Sequence, residues 1–500
     1  SVVSSKKHRD LAREMGREQM VLLKNNGILP LSPDAKNVMV MGPNATDSTM
    51  MWGIYYGQPG HTVTILEGLN ERTGRKLPYN RACAITQMTD RESVFQNITD
   101  SKGRQGMEAT YWNNTTMSGE PAAVTNYTST IQLDNGGNTV FAPGVNLTNF
   151  TTRIKGTYVA DRDETLNMIY NNDDGLRIII NGDTVHERWK TDPLNFRERE
   201  LKVKKGQKYD IEVNYMQLED DATLNFDILR TRQVTPADAV AAAKDAETII
   251  FVGGISPAYE REEAKVREPG FDDGDRTSIE LPAPQREILR ALHDAGKKIV
   301  FINCSGSAVA LTPENDICDA ILQAWYPGEQ GGHAVADVIF GDYNPSGKLP
   351  VTFYKDDSQL PAFDDYLMAG RTYRYLKQAP LYQFGHGLSY TTFDISKPKY
   401  SNGKVTVRVK NTGKRAGTEI VQVYMRRPAD TAGPNKTLRG YARVDLAPGE
   451  AKNVEIDFPR NLFENWDEAT QEMRVVPGDY ELMVGSSSAD KDLKTIKVKI

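Results

Sequence analysis

The chain has 500 residues, with 61 Lys+Arg against 67 Asp+Glu and a formal net charge of −6. At roughly 150 residues per domain, that length predicts about three domains and excludes a single small one. The acidic balance without a long basic run argues against nucleic-acid binding, and no apolar stretch approaches the roughly 20 residues of a membrane span. The 3 cysteines (Cys83, Cys304, Cys318) exclude a disulfide-rich scaffold and a cysteine zinc cluster, and the 6 histidines show no metal-ligand spacing.

In chain order, residues 6–24 carry Leu11, Met15 and Leu22 at helical spacing, and Asn25-Asn26-Gly27 marks the helix end. The run VMVM (38–41) predicts a buried strand that empties into Gly42-Pro43, the kind of exit that lines ligand sites in open α/β sheets. From about Gly103 the chain turns rich in Asn, Thr and Gly. TIQLD, TRIKGTYVA, LRIIING, YDIEVNY and LNFDILR there predict an all-β block ending near Arg232.

TPADAVAAAKDAE then opens a helix, with Thr235 as N-cap and Pro236 as its first residue. ETIIFVGG, KKIVFINC and DAILQAW predict strands that alternate with helices over LPAPQREILRALHDAG and QGGHAVADVIF, which implies a parallel sheet. GDYNPSGK (341–348) has five residues between its glycines and Leu349 after its lysine, so it is not a phosphate loop and reads as a turn into an edge strand. Residues 356–390 lack periodicity, and their Tyr366, Tyr373, Tyr375 and Tyr382 suit domain packing. KVTVRVKNTG, EIVQVYMRR, KNVEIDF and YELMVGSS predict a final β-sandwich.

The expected fold class is multidomain α/β plus all-β. An α/β sandwich domain with a mostly parallel sheet spans 1–102 and 233–355, interrupted by a β-sandwich at 103–232. A linker at 356–390 leads to a C-terminal β-sandwich at 391–500. Insertion at a loop is tolerated because domain termini often lie close together.

The stretch 251–282 concentrates the chemistry. A strand ends at Gly253-Gly254 and opens into a loop holding Glu260, Glu262, Glu263, Glu268, Asp272, Asp273 and Asp275. A carboxylate there, beside Tyr259 and Phe271, is placed to have a raised pKa and act as a general acid, although an acidic run taken alone is more often a solvated loop. No GxSxG surrounds Ser305 or Ser307, which removes a serine-hydrolase elbow. No glycine fingerprint follows a strand, which removes a nucleotide-binding reading. Asn44, Asn97, Asn146 and Asn435 open Asn-x-Ser/Thr patterns, a weak sign of export.

VLLKNNGILPL, VMVMGPNATDSTM, GDRTSIELPAPQ, WYPGEQGGHAVADVIFGDYNPSGKLPVTF and YQFGHGLSYTTF, in this order, resemble the family 3 glycoside hydrolases. GMEATYWNN with DDGLRIIINGDTVHERW resembles the carbohydrate-associated β-sandwich first named for the anthrax protective antigen. VKNTGKRAGTEIVQVYM, LRGYARVDLAPGE and PGDYELMVG resemble that family's fibronectin type III-like domain.

The resemblance implies a retaining β-glycosidase whose nucleophile, an Asp, lies on an N-terminal (β/α)₈ barrel that this chain lacks. The expectation is therefore that the non-Met start is a truncation edge, that the barrel is a required partner, and that the chain alone is inert. The family's general acid/base is a Glu in a Glu-x-Glu-Gly pattern followed by an aromatic and Asp-Arg. Aligning its first Glu with Glu260 places the acid/base at Glu262. Arg261 and the longer loop before Asp275-Arg276 depart from the pattern and leave Glu260 and Glu263 as alternatives.

MMWGIYYGQPGHTVTILEGL is more similar to members acting on β-xylosides than to the β-glucosidases. Trp52, Tyr55 and Tyr56, with Trp112 of the insert, are candidate substrate-binding residues; packing against the barrel or a core is the competing role. The implied function is exo-acting release of single sugars from short β-linked oligosaccharides, β-xylosidase ahead of β-glucosidase. Two carboxylates suffice for that chemistry, so no metal or organic cofactor is implied; Asp173-Asp174 fit a turn as well as a calcium site. The family suggests a periplasmic or secreted location and is compatible with a homo-oligomer. A non-catalytic carbohydrate-binding assembly is the alternative of another class.

Overall fold

The apolar runs of the α/β segments line up as adjacent strands of one sheet in the computed structural model, which describes residues 5–54, 56–57, 59, 61–134, 139–191, 195–260 and 266–500. The chain forms two compact units, Ser1–Tyr56, Gly60–Met88 and Val234–Ile500 in the first, Gly57–Pro59 and Thr89–Gln233 in the second.

The sheet of the first unit is built, in chain order, from α1 (Lys6–Gln19), β1 (Val21–Asn25), β2 (Val38–Met41), α2 (Ile65–Thr73), β3 (Tyr79–Asn80), α3 (Pro236–Ala242), β4 (Thr248–Gly254), α4 (Ala283–Asp294), β5 (Lys298–Cys304), α5 (Thr312–Ile317), β6 (Ala320–Gln323) and α6 (Gly331–Ile339). The spatial order is β1-β6-β5-β4-β2-β3, with β1 antiparallel to β6 and every other pair parallel. Both faces are covered, as a parallel sheet requires. Met39, Met41, Ile249, Phe251, Ile299 and Phe301 pack with Ala239, Ile288, Leu292 and Ile317 of α3, α4 and α5. Val38, Val40, Ile250, Val252, Val300 and Ile302 pack with Ile65, Leu69, Val335 and Val338 of α2 and α6. Thr235 caps α3 in a capping box with Asp238, and Pro236 follows at the first turn.

Three local expectations are corrected. The helix over 6–24 stops at Gln19, and Val21–Asn25 is a strand. Short apolar runs fit either period, and here pairing with Ala320–Gln323 buries Val21, Leu22 and Leu23 between the two cores. Asn25-Asn26-Gly27 therefore ends a strand, and Leu11 and Met15 are 53% and 65% exposed rather than packed. Residues 341–348 turn as expected but lead into no edge strand among the described residues; Phe353 makes a single bridge to Tyr382.

The second unit is two antiparallel sheets packed face to face. Asn195–Val203, Glu164–Asn172, Thr223–Gln233, Thr89–Ser93 and Ile131–Asp134 form one. Asp183–Arg188, Gly175–Ile180, Lys208–Gln217, Phe150–Val159, Met107–Trp112, Ala123–Tyr127 and Ile98–Thr99 form the other. Leu166, Met168 and Phe226 from one sheet meet Ile178, Ile211 and Val213 from the other in one core. The unit begins at Thr89, earlier than the expected 103, because TDRES (89–93) pairs with Leu229–Gln233 without any apolar alternation to announce it.

The C-terminal segment closes a three-stranded sheet (Phe393–Ser401, Lys404–Asn411, Ala451–Asp457) on a four-stranded one (Thr437–Leu446, Gly417–Arg426, Asp479–Gly485, Leu493–Lys499) around Val405, Val407, Val421, Val423, Tyr480 and Leu482. Residues 356–390 are not a bare connector. Tyr373 stacks on Phe384 at 4.3 Å and meets Tyr424 at 5.9 Å, and Leu388 N donates to Leu22 O at 2.8 Å. Tyr382 is buried as expected, whereas Tyr366 is 88% exposed.

Candidate active site

Strands β2, β4, β5 and β6 run the same way and leave the sheet at one edge. The chain reverses its spatial order at β2, with β3 on one side and β4 on the other, and that is where crevices open in sheets of this kind. Backbone proximity at the exits depends on Gly254 (φ 106°), where a Cβ would stand 2.1 Å from Cys304 O. Buried Asn44, just past β2, donates Nδ2 to Gly253 O and Ile255 O, each at 3.1 Å, and so joins the exits of β2 and β4. Its Asn-x-Thr pattern is consumed by the fold, since no glycan reaches a fully buried amide.

Beyond β4 the chain reaches Glu260. Its Oε2 accepts from Tyr326 Oη at 2.8 Å and its Oε1 from Ser307 Oγ at 3.2 Å. Ser307 follows β5 and Tyr326 follows β6, so one carboxylate ties three strand exits. Arg276, of the Gly274-Asp275-Arg276 turn, donates Nη1 to the same Ser307 Oγ at 3.2 Å and to Ala308 O at 3.0 Å. The exit of β5 is itself fixed from below: Asn303 Nδ2 donates to Gln323 Oε1 at 2.6 Å, Gln323 Nε2 to Ser305 Oγ at 2.9 Å, and Ser305 Oγ to Ser307 O at 2.8 Å. Burial holds the Tyr326 phenol well above its ordinary pKa, reinforced by the Glu260 charge, so it serves as a donor. Burial lowers the Arg276 pKa, opposed by the charge of Glu260.

Part of the acidic stretch is ordered by strand pairing, although Asp272, Asp273 and Asp275 are exposed. Arg267–Glu268, Phe271–Asp272 and Asp275–Arg276 pair as a small antiparallel sheet. Glu268 accepts from Thr86 Oγ1 and Gln87 Nε2, each at 2.9 Å. Buried Phe271 lies 5.4 Å from the Tyr259 ring, which places the two aromatics together as the sequence suggested. Glu262 and Glu263 lie outside the described residues, as does Tyr55.

Among the aromatic candidates, Trp52 is half-buried, donates Nε1 to Thr62 Oγ1 at 2.7 Å, and lies 4.7 Å from the Tyr56 ring. A Cβ on the next residue, Gly53, would stand 3.7 Å from the Tyr326 ring, so this turn borders the Glu260 cluster. Tyr56 is 44% exposed. Trp112 belongs to the second unit and is 8% exposed, with Nε1 donating to Gly119 O at 3.1 Å and the Arg153 guanidinium 5.4 Å over its ring. That is a packing environment. Asp174, near the second unit's acidic turn, accepts from Leu218 N at 2.7 Å, a turn role; among the described residues no group of three or more His, Cys, Asp and Glu is arranged to hold a metal ion.

Sequence reasoning missed Tyr326, Ser307 and Arg276 as parts of this site. Two of the signals lay in motifs already quoted, WYPGEQGG and GDRTSIELPAPQ, and the third in the Ser305-Gly306-Ser307 run after β5, but only the topology brings them together. All three cysteines are buried, and burial pushes the Cys304 and Cys318 thiols up, away from nucleophilic use. No described helix is long and apolar enough to cross a membrane.

Comparison with known proteins agrees with this architecture. The glycosyl hydrolase family 3 C-terminal domain matches residues 20–390, and a fibronectin type III-like domain matches residues 419–488. A xylan 1,4-beta-xylosidase of Xylanibacter ruminicola is 42% identical over 513 residues, spanning 100% of this chain and 59% of that protein. A periplasmic beta-glucosidase of Salmonella typhimurium is 38% identical over 283 residues, 52% of this chain and 35% of its own length. The crystal structure of a beta-glucosidase from Kluyveromyces marxianus superposes with a TM-score of 0.72 at 26% identity, covering 99% of this chain and 63% of that one. The chain thus spans about six-tenths of the first relative's length. With both domain matches in the expected order and a relative aligned from end to end, the chain belongs to glycosyl hydrolase family 3 and holds its C-terminal and fibronectin type III-like domains.

Proposed function

We propose that this chain supplies the general acid/base half of an exo-acting, retaining β-glycosidase, with Glu262 as the proton donor and an Asp nucleophile on a barrel domain outside it. Glu260 and Glu263 are the alternatives for the acid. The observation that carries the reading is the ordered cluster at the strand exits. Glu260, two residues before Glu262, and Arg276, further along the acidic stretch, share Ser307, and the Gly53 turn next to Trp52 borders Tyr326, the other partner of Glu260.

Retaining hydrolysis needs one carboxylate to attack the anomeric carbon and a second, roughly 5–5.5 Å away, to protonate the leaving oxygen and then activate water. Nothing requires both on one domain, and interdomain clefts are favoured ligand sites. A positioned acid contributes about 10²–10⁴-fold.

The substrate class we propose is a short β-linked oligosaccharide cut to single sugars, xylosides ahead of glucosides. The end-to-end similarity to a protein named as a xylan 1,4-beta-xylosidase supports that order, since the glucosidase-named Salmonella relative aligns with about half the chain. The second unit is proposed as a protective-antigen-like lectin module, and a periplasmic or secreted location is proposed with it.

The test uses the intact enzyme carrying the barrel. It should hydrolyse an aryl β-xyloside faster than the matching β-glucoside, and the chain alone should hydrolyse neither. Glu262→Ala should slow poor leaving groups far more than activated ones, with azide restoring rate. Clean turnover by the isolated chain overturns the split site, and an unchanged leaving-group dependence moves the acid role to Glu260 or Glu263.

A further inference from the structure

We propose that Glu260, Ser307, Tyr326 and Arg276 form a clamp that positions the general acid without donating the catalytic proton themselves. The inference rests on the glycosidase reading above and assigns these four residues a role in it.

A carboxylate that donates a proton to substrate must turn an oxygen toward the leaving group. Both oxygens of Glu260 are instead engaged by the fold, Oε2 by Tyr326 at 2.8 Å and Oε1 by Ser307 at 3.2 Å. The donors come from two different strand exits, so Glu260 cannot rotate without losing both. Ser307 Oγ also receives Arg276 Nη1 at 3.2 Å. Glu260 and Arg276 lie on either side of residues 261–265 in the chain, so a single hydroxyl joins two points that flank them in sequence.

The hydroxyl is not free to wander. Ser305 Oγ holds Ser307 O at 2.8 Å, and Gln323 Nε2 holds Ser305 Oγ at 2.9 Å in a buried layer. Gly306 leaves the space the clamp needs, because a Cβ there would stand 2.9 Å from the Tyr326 ring. Residues locked by packing and secondary hydrogen bonds in this way are what keep a catalytic group within a few tenths of an ångström of its productive place. A misplacement of 1 Å costs about 10²-fold in rate.

The experiment compares Glu260→Gln, Glu260→Ala, Tyr326→Phe, the Glu260→Ala/Tyr326→Phe double variant, Ser307→Ala and Ser307→Thr in the intact enzyme on an aryl β-xyloside. Glu260→Gln should lower kcat by about 10–100-fold with KM within about twofold. The double variant should be no slower than Glu260→Ala alone, because the alanine already deletes the contact that Tyr326→Phe removes. Ser307→Thr, which keeps the hydroxyl, should recover most of what Ser307→Ala loses. Azide should rescue Glu262→Ala and leave Glu260→Ala slow.

Azide rescue of Glu260→Ala, or independent multiplying effects in the double variant, overturns the clamp. If Glu260→Gln does not fold, the Tyr326 and Ser307 variants carry the same comparison through the thermal midpoint and the kcat-to-KM split. An intact wild-type enzyme inactive on every aryl β-glycoside sinks the glycosidase reading before any variant is compared. Independent effects in an active enzyme sink only the clamp.

Discussion

Gln285 of α4 holds Gly254 of β4 from both sides: Gly254 N donates to Gln285 Oε1 at 2.7 Å, and Gln285 Nε2 donates to Gly254 O at 2.7 Å. The same amide reaches Ile85 O at 3.0 Å, so a fully buried side chain fixes the β4 exit to both the helix and the loop after β3.

Gln285→Leu should therefore destabilise the first unit by about 1–3 kcal/mol for each backbone group left unpaired. Thermal or urea denaturation of this chain checks it. An unchanged midpoint would show that another donor or acceptor replaces the amide.

Arg286, one residue on, faces a different demand. Its Nε and Nη2 donate to the two oxygens of Glu314 at 2.7 and 3.2 Å, and the Glu314 side chain has no solvent exposure. Arg286→Met should cost about 3–5 kcal/mol because it strands a buried carboxylate, and adding Glu314→Leu should recover much of that loss. Denaturation midpoints of the two single variants and the double variant decide it; a double variant as unstable as Arg286→Met alone would refute the stranded-charge explanation.

The second unit carries a pH signature. The Asp173 carboxyl is pushed up to about 6, first by burial and then by Asp174, Asp220 and Asp221. Its ordinary value is about 3.9. The folded state therefore holds this proton more tightly than the unfolded state. The resulting stabilisation is complete below about pH 4 and is lost as pH rises through about 6. Asp173→Asn keeps an acceptor for Asp174 N, at 3.1 Å from Asp173 Oδ1. It should raise the melting temperature at pH 7 and flatten its change between pH 4 and 6. A calorimetric series in which variant and wild type change in parallel would remove Asp173 as the cause.

Trp112→Ala should act on stability rather than on substrate. Losing a buried indole costs about 3–5 kcal/mol, whereas KM of the intact enzyme for an aryl β-xyloside should stay within about twofold for the milder Trp112→Phe. A large KM rise in a fully folded Trp112→Phe enzyme would return Trp112 to the substrate-binding residues.

Much of the α/β unit was legible because its strands are continuous apolar runs, VMVM, IIFVGG, KIVFINC and AILQ, and because Thr235 and Pro236 mark a helix start unambiguously. The failures share one cause. Val21–Asn25 became a strand because β6 offered an unpaired edge, and TDRES became one because Leu229–Gln233 did. Strand identity there is conferred by a partner far away in sequence, which no local period records. The site divides the same way. Its carboxylates could be placed after a strand, but the serine and tyrosine that hold Glu260 come from two other strand exits, reached only once the sheet order is known.

The interrupted sheet also sets a timetable for synthesis. β2 pairs with β4 from Val38 opposite Thr248 onward, and at about 5–20 residues per second a ribosome needs roughly 10–40 s to cover the distance between them. By the end of that interval Val38–Met41 is still without β4, whereas the described strands of the second unit, from Thr89 to Gln233, have all been made. The inserted unit can finish folding first, and the α/β sheet is completed only when the chain that follows the insert arrives.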